Sequence, residues 1–137
     1  MAHFGEGDAS FQAAGGYEGI CQLVDDFYQI MDGSEGAADV RRLYPEDLSE
    51  AHDKLTRFLC GWLGGPRLYL ERYGQISIPA FHVRWAVNEA ERDIWLSCMA
   101  DAIERQDWSG AFKEYLMTQL RVPADRIVLA SQAVRHR

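Results

Sequence analysis

The chain predicts an all-α fold. Apolar residues recur at three- and four-residue steps through several segments, the period of one helical face. No segment shows the two-residue alternation of a half-buried strand. Glycine and proline stops, with two capping-box patterns, cut the chain into pieces of helical length.

The first residues are polar and glycine-containing and predict one short turn over 10–14, before Gly15-Gly16 breaks the chain. From Tyr17, the residues Ile20, Leu23, Val24, Phe27, Tyr28 and Met31 form one continuous apolar face, closed by Asp32-Gly33. A short helix over 35–43 stops before Tyr44-Pro45, because the residue ahead of a proline is pushed out of the helical region. Asp47 with Glu50 reads as a capping box opening a helix that carries Leu48, Leu55, Phe58, Leu59, Trp62 and Leu63. Gly64-Gly65-Pro66 ends that helix: glycine suits a left-handed cap, and proline forbids continuation. A brief helical piece over 67–73 ends at Gly74, and Pro79 suits the first turn of a short helix carrying His82. Asn88 with Glu91 is the second capping box, and the helix it opens, over 89–106, is expected to bury Ile94, Trp95, Cys98, Met99, Ala102 and Ile103. A helix over 109–120 with Phe112, Tyr115, Leu116 and Leu120 is expected to stop at Pro123. An amphipathic segment over 124–134 then leads into Arg135-His136-Arg137.

At 137 residues the chain is read as one domain, 1–137, with 1–14 as a polar N-terminal extension and 123–137 as an extra helix and tail. The net charge of −7 argues against nucleic acid as a partner, since phosphate neutralisation needs a basic face, and against docking on an anionic membrane. No apolar run approaches the ~18–20 residues of a membrane span, and the N-terminus has no charged region followed by an apolar one. Cys21, Cys60 and Cys98 are odd in number and widely spaced, with no Cys-x-x-Cys pair and no Cys-x-x-Cys-His. That pattern predicts free thiols in a reducing cytoplasm, not a zinc knuckle, a disulfide framework or covalent haem attachment.

Two features point to chemistry. The stretch over 64–79 holds two glycine stops and two prolines, so it reads as loop, and long loops in small domains are usually functional or disordered. It delivers His82 in the apolar, aromatic setting Ala80-Phe81-His82-Val83-Arg84-Trp85. Taken alone, such a histidine is either a satisfied core residue or an axial ligand to a haem iron. The second feature is Tyr28, Trp62 and Trp95 on inward helix faces. A buried O–H or N–H needs a partner, which is either a backbone carbonyl or a polar ligand in a pocket.

Four stretches carry a resemblance: Phe27-Tyr28; Leu43-Tyr44-Pro45-Glu46-Asp47-Leu48; Phe58-Leu59-Cys60-Gly61-Trp62-Leu63-Gly64-Gly65-Pro66 with Tyr69; and Glu91-Arg92-Asp93-Ile94-Trp95-Leu96-Ser97-Cys98-Met99. In this order they resemble the truncated haemoglobins, group II in particular, from about Gly15 to Ile103. The resemblance implies a globin-like two-over-two helical sandwich enclosing a b-type haem. His82 matches the proximal iron ligand, which would bind through one imidazole nitrogen while the other donates to a backbone carbonyl. Tyr28, Tyr44 and Trp95 match distal residues that meet the gaseous ligand, and Leu55 matches an apolar distal wall. Phe58, Ile78 and Trp85 would pack on the porphyrin. Lys54 and Tyr69 match positions that reach haem propionates, with Arg84 as a further propionate partner.

The chain also departs from that family. Phe81 stands where relatives carry a basic residue before the proximal histidine, and Gln75 stands where they carry a histidine. Near the distal helix the spacing from Tyr44 leaves either Ala51 or His52 toward the iron. His52 is then either a sixth ligand or an exposed residue on a polar face.

The implied function is binding of O2 and other diatomics (NO and CO), with peroxide and sulfide as further ligands and a reductase to recycle ferric iron. Hydroxyl and indole donors in a dry pocket favour slow ligand release, which suits sensing or chemistry better than carriage. NO oxidation and peroxide reduction are the reactions in view. The lack of a distal carboxylate weakens the peroxidase reading. The alternative from another class is a haem-free helical interaction module, which would be colourless and fully stable without cofactor. The acidic surface and basic tail fit a monomer or a weak dimer. Nothing resembles a nucleophilic hydrolase, since Gly-x-Ser-x-Gly is absent.

Overall fold

A computed structural model describes residues 3–74 and 88–135, with side chains through 129. Among these residues there is no strand. The helices are α1 (Ala9–Ala13), α2 (Gly16–Gly33), a 3-10 turn (Glu35–Ala37), α3 (Ala38–Arg41), α4 (Ser49–Trp62), α5 (Leu68–Tyr73), α6 (Glu89–Glu104) and α7 (Gly110–Arg135).

α2 is the central element, lying against both α4 and α6, while α6 in turn carries α7. Its predicted face is the buried one: Ile20, Leu23, Val24, Phe27, Tyr28 and Met31. Leu59 and Cys60 of α4 and Leu96, Met99, Ala102 and Ile103 of α6 meet it in one core. Gln106, just past α6, donates to Asp26 of α2 (2.7 Å) and to the carbonyl of Ala102 (2.9 Å), so this corner of the helix pair is also tied by polar contacts. The three cysteines are free, with Cys60 and Cys98 buried. Burial pushes the Cys60 thiol up to about 11, which makes it an inert core group.

The two capping boxes behave differently. At α6 the box forms in full: the Asn88 side chain accepts from the Glu91 N–H (2.8 Å), and the Asn88 N–H donates to the Glu91 carboxylate (3.3 Å). At α4 it does not. Asp47 accepts from the Ser49 N–H (2.9 Å), two residues on, and Leu48 takes the cap position. Glu50 turns along the helix to Lys54 (2.8 Å) instead of back to Asp47. The short Asp47 side chain is satisfied by the nearer donor, and Glu50 gains an opposite charge one turn on.

Pro123 does not stop the last helix; α7 runs through it from Gly110 to Arg135. Proline removes one backbone donor and crowds the preceding turn, at a cost of about 3 kcal/mol in a helix interior. Buried Phe112, Leu116, Leu120, Ala124 and Val128 repeat every fourth residue on both sides of it. Breaking the helix at Pro123 would throw the last two out of register with the core. Arg92 of α6 also reaches Asp125 just beyond the proline (3.1 Å).

The N-terminal residues are packed. The Phe4 ring lies 5.2 Å from both Phe112 and Tyr115 of α7, and the buried Ser10 hydroxyl accepts from the Gly5 N–H (2.9 Å). The Phe11 N–H donates to the Leu63 carbonyl at the end of α4 (3.0 Å). This crossing explains the glycine pair at 64–65 beyond its role in ending a helix. Gly64 has φ +93, and a Cβ there would sit 2.0 Å from the Gly7 carbonyl oxygen; one on Gly65 would sit 2.5 Å from the Phe11 ring. Gly64→Ala combines a left-handed backbone with a backbone clash and should destabilise the protein by at least about 2 kcal/mol. Guanidinium unfolding of the two proteins measures this; an unchanged midpoint would mean that the crossing does not hold in solution.

Candidate functional site

The site is built where α2, α6 and the turn after α3 converge. Tyr28, near the C-terminal end of the α2 face, is only 6% exposed. Its ring stands edge-on to Tyr44 (5.6 Å, 83°) and against Phe27 (4.9 Å), and Phe27 in turn meets Trp95 of α6 (5.0 Å). Trp95 and Ile94 are half-buried, not fully buried as the helical periodicity of α6 predicts, because they sit at the edge of the core.

Tyr44 is the hub of a polar network. Burial pushes its phenol up from the ordinary value, and hydrogen bonding from Trp95 and Tyr28 pulls against that rise. Tyr28 is pushed well above its ordinary value, first by burial, then by the neighbouring Tyr44 and the hydrogen bond to it. Both phenols therefore keep their protons at any ordinary pH and stay donors. Arg41 holds the turn that presents Tyr44. Its guanidinium donates to the carbonyls of Pro45 and Glu46 (2.9 Å each) and to Asp32 at the end of α2 (2.9 Å).

α4 supplies the apolar wall. Ala51, Leu55, Phe58 and Trp62, spaced four, three and four residues apart, form one half-buried stripe, and the Phe58 and Trp62 rings stack at 6.2 Å. His52, one position round, leaves that stripe. Its Nε2 is bonded to Asp25 of α2, so it is neither a free polar-face histidine nor aimed along the stripe. Ala51 and Leu55 lie on the half-buried apolar stripe of α4, and His52 turns to Asp25 of α2.

The third face of α4 anchors α5. The Tyr73 hydroxyl donates to Asp53 (2.5 Å), Arg57 grips both Asp53 oxygens (2.9 and 3.0 Å), and Arg72 stands 3.6 Å away. Asp53 with Arg57 is a visible one-turn pair in sequence, but Tyr73, twenty residues on, carries no signal there. Tyr69 packs on Tyr73 (5.0 Å), and the Lys54 ammonium pairs with Glu50 and lies 5.3 Å from the Tyr73 ring. The structure thus brings together Tyr28, Tyr44 and Trp95, with Leu55 and Phe58 on the wall and Lys54 and Tyr69 by the α5 anchor. Ile78, His82, Arg84 and Trp85, like Gln75 and Phe81, lie outside the described residues.

The profile of the bacterial-like globins matches residues 9–128. The group 2 truncated hemoglobin YjbI of Bacillus subtilis (strain 168) is 33% identical over 126 residues, covering 92% of this chain and 92% of that one. The chain belongs to the group II truncated haemoglobins. Among solved structures, the cold-adapted truncated hemoglobin of the Antarctic marine bacterium Pseudoalteromonas haloplanktis TAC125 superposes with a TM-score of 0.84 at 25% identity, over 87% of this chain and 96% of that one. The truncated oxygen-avid haemoglobin of Bacillus subtilis superposes with a TM-score of 0.78 at 34% identity, over 88% and 98%. The α2–α4 and α6–α7 pairs are the two layers of the two-over-two globin sandwich.

As a truncated haemoglobin the chain is a haem-binding globin. The residues on the page fit that group: a half-buried stripe of aliphatic and aromatic side chains suits a flat apolar macrocycle, and protonated phenols and an indole suit a small ligand that accepts hydrogen bonds.

Asp53 gives the site a measurable acid dependence. Burial opposes its charge, but Tyr73 and the two arginines outweigh burial and hold its carboxyl below the ordinary value. A carboxyl lowered in the folded state adds stability that is present above the ordinary carboxylate range and lost as pH falls through its folded value. Asp53→Asn should cost on the order of 1 kcal/mol at neutral pH and should flatten the fall of the thermal midpoint between about pH 5 and 3. Parallel acid curves for the two proteins would count against this anchor.

Proposed function

We propose that this globin binds a b-type haem through His82 and uses Tyr28, Tyr44 and Trp95 to hold a diatomic ligand, O2 above all, with slow release. The observation that carries the reading is the cluster at the edge of the core in which Tyr28 stands edge-on to Tyr44 (5.6 Å) and Phe27 bridges Tyr28 to Trp95, with the Tyr28 and Trp95 donors directed to Tyr44. Haem supplies reversible binding and redox chemistry of small gases. The absence of Cys-x-x-Cys-His argues against covalent attachment and so supports the b-type reading.

The chain's own residues set what happens next. The Tyr28 and Tyr44 hydroxyls and the Trp95 N–H are three donors with one acceptor oxygen, that of Tyr44, shared between two of them. A ligand that accepts hydrogen bonds would compete for these donors, with the half-buried Leu55 and Phe58 as apolar neighbours that would limit the access of water. Each bond there contributes on the order of 1–3 kcal/mol. That supports O2 retention, and the name of the Bacillus subtilis relative describes that protein as oxygen-avid. Retention favours sensing, or oxidation of NO by held O2, over carriage, with a reductase returning the iron to its ferrous state. Phe58, Ile78 and Trp85 would flank the porphyrin, with Tyr69, Arg84 and Lys54 toward the propionates. Since Lys54 already pairs with Glu50, its part would be shared.

Purified protein should show a Soret band, and His82→Ala should abolish or greatly weaken haem retention; an unaltered haem spectrum in that variant overturns the proximal assignment. On the other side, Tyr28→Phe and Trp95→Phe should each raise the O2 dissociation rate by about 5- to 100-fold. Stopped-flow release from the double variant at the wild-type rate would overturn the distal assignment and leave the haem assignment intact.

A further inference from the structure

Along the α2–α4 contact, with the His52 ring 6.3 Å from that of Tyr28, three side chains of different chemistry converge. Cys21 and Asp25 lie one turn apart on α2, and His52 reaches them from α4. The Cys21 sulfur, an Asp25 oxygen and a His52 ring nitrogen all lie within 4.8 Å of one another. We propose that Cys21, Asp25 and His52 form a zinc site that ties α2 to α4.

The hydrogen bond between His52 and Asp25 accounts for two of these groups but not for the thiol placed against both. A thiolate, an imidazole and a carboxylate form a mixed sulfur, nitrogen and oxygen set suited to a borderline-soft divalent ion, and an oxygen-seeking ion such as magnesium would not use the sulfur. Zinc bonds of about 2.0–2.3 Å place tetrahedral ligand atoms roughly 3.3–3.8 Å apart, so the thiol need only close slightly on the other two while His52 and Asp25, now in direct contact, part to admit the ion. Cys21 and His52 are half-buried and Asp25 is exposed, which leaves the fourth position open to water. Charges also balance: thiolate and carboxylate together neutralise a dication, so the half-buried cluster gains no net charge. On binding, the Cys21 thiol gives its proton to solvent and a sulfur–zinc bond forms; the neutral His52 ring takes the Nδ1–H tautomer, so the Nε2 lone pair binds the metal in place of the hydrogen bond to Asp25. The site uses none of the residues proposed to hold the haem or its ligand, although the His52 ring lies 6.3 Å from that of Tyr28.

Calorimetric titration of the haem-loaded protein with zinc chloride should give one equivalent bound with Kd at or below about 10 µM. Zinc-edge X-ray absorption of the complex should show one sulfur at about 2.3 Å with nitrogen and oxygen at about 2.0 Å, and zinc should raise the thermal midpoint. Cys21→Ser, Asp25→Asn and His52→Ala should each weaken binding at least tenfold, with the Soret band serving as the check on folding. No binding at about 100 µM zinc, a zinc shell without sulfur, or undiminished affinity in Cys21→Ser or His52→Ala would overturn the proposal.

Discussion

A phenol hydroxyl cannot be buried in an apolar helix contact unless something takes its hydrogen bond. Tyr28 is such a phenol, and it sits on the helix that every layer of the fold leans against. Satisfying it requires Tyr44 to be in one place, which requires the turn after α3 to have one shape. Arg41 imposes that shape by gripping two carbonyls of the turn and the end of α2. Trp95 then closes the network from α6. The polar site and the apolar core thus share a boundary along α2: Phe27 packs on Trp95 while its neighbour Tyr28 turns to Tyr44. Loosening either side would cost the other.

That coupling explains why the fold was readable from the chain and parts of the site were not. The α2 face follows from a single period, and all six of its predicted residues are buried. Asn88 and Glu91 form the box their spacing implies, since both reach the other's backbone within one turn. Local spacing fails where a longer-range partner competes. Glu50 prefers Lys54 to the cap, α7 continues through Pro123 because Ala124 and Val128 are needed in the core, and His52 takes Asp25 from another helix. Arg41 is the clearest omission: an Arg-Arg pair before a turn looks solvated, and the role of Arg41 lies in carbonyls that no side-chain pattern encodes.

The same limit applies to the glycines after α4. Gly64-Gly65-Pro66 has the composition of a helix stop, and the helix does stop there. Yet an αL cap needs only one glycine. The second demand comes from the N-terminal segment, whose Gly7 carbonyl and Phe11 ring approach within distances that no side chain could tolerate. Residues 3–14 are thereby fastened to α4 at one end and, through Phe4, to α7 at the other. The N-terminal segment therefore closes the bundle across the ends of two helices.

α4 shows how little freedom remains once these contacts are made. Its three faces have three different tasks. Ala51, Leu55, Phe58 and Trp62 form the apolar wall; His52, Leu59 and Cys60 meet α2; Asp53 and Arg57 hold α5. A helix turns about 100° per residue, so a slip of one position would exchange the tasks. It would place His52 on the wall, turn Asp53 toward the buried face of α2 and release Tyr73. Each exchange strands a polar group or exposes an apolar one, and the penalties add because the groups lie on separate faces. Hydrophobic pattern alone tolerates the slip, since Leu48, Leu55, Phe58, Leu59 and Trp62 span more than one face. The rotation of α4 is set instead by two polar contacts to other helices, Asp25 with His52 and Tyr73 with Asp53. Those contacts determine which side chains α4 turns to the apolar wall.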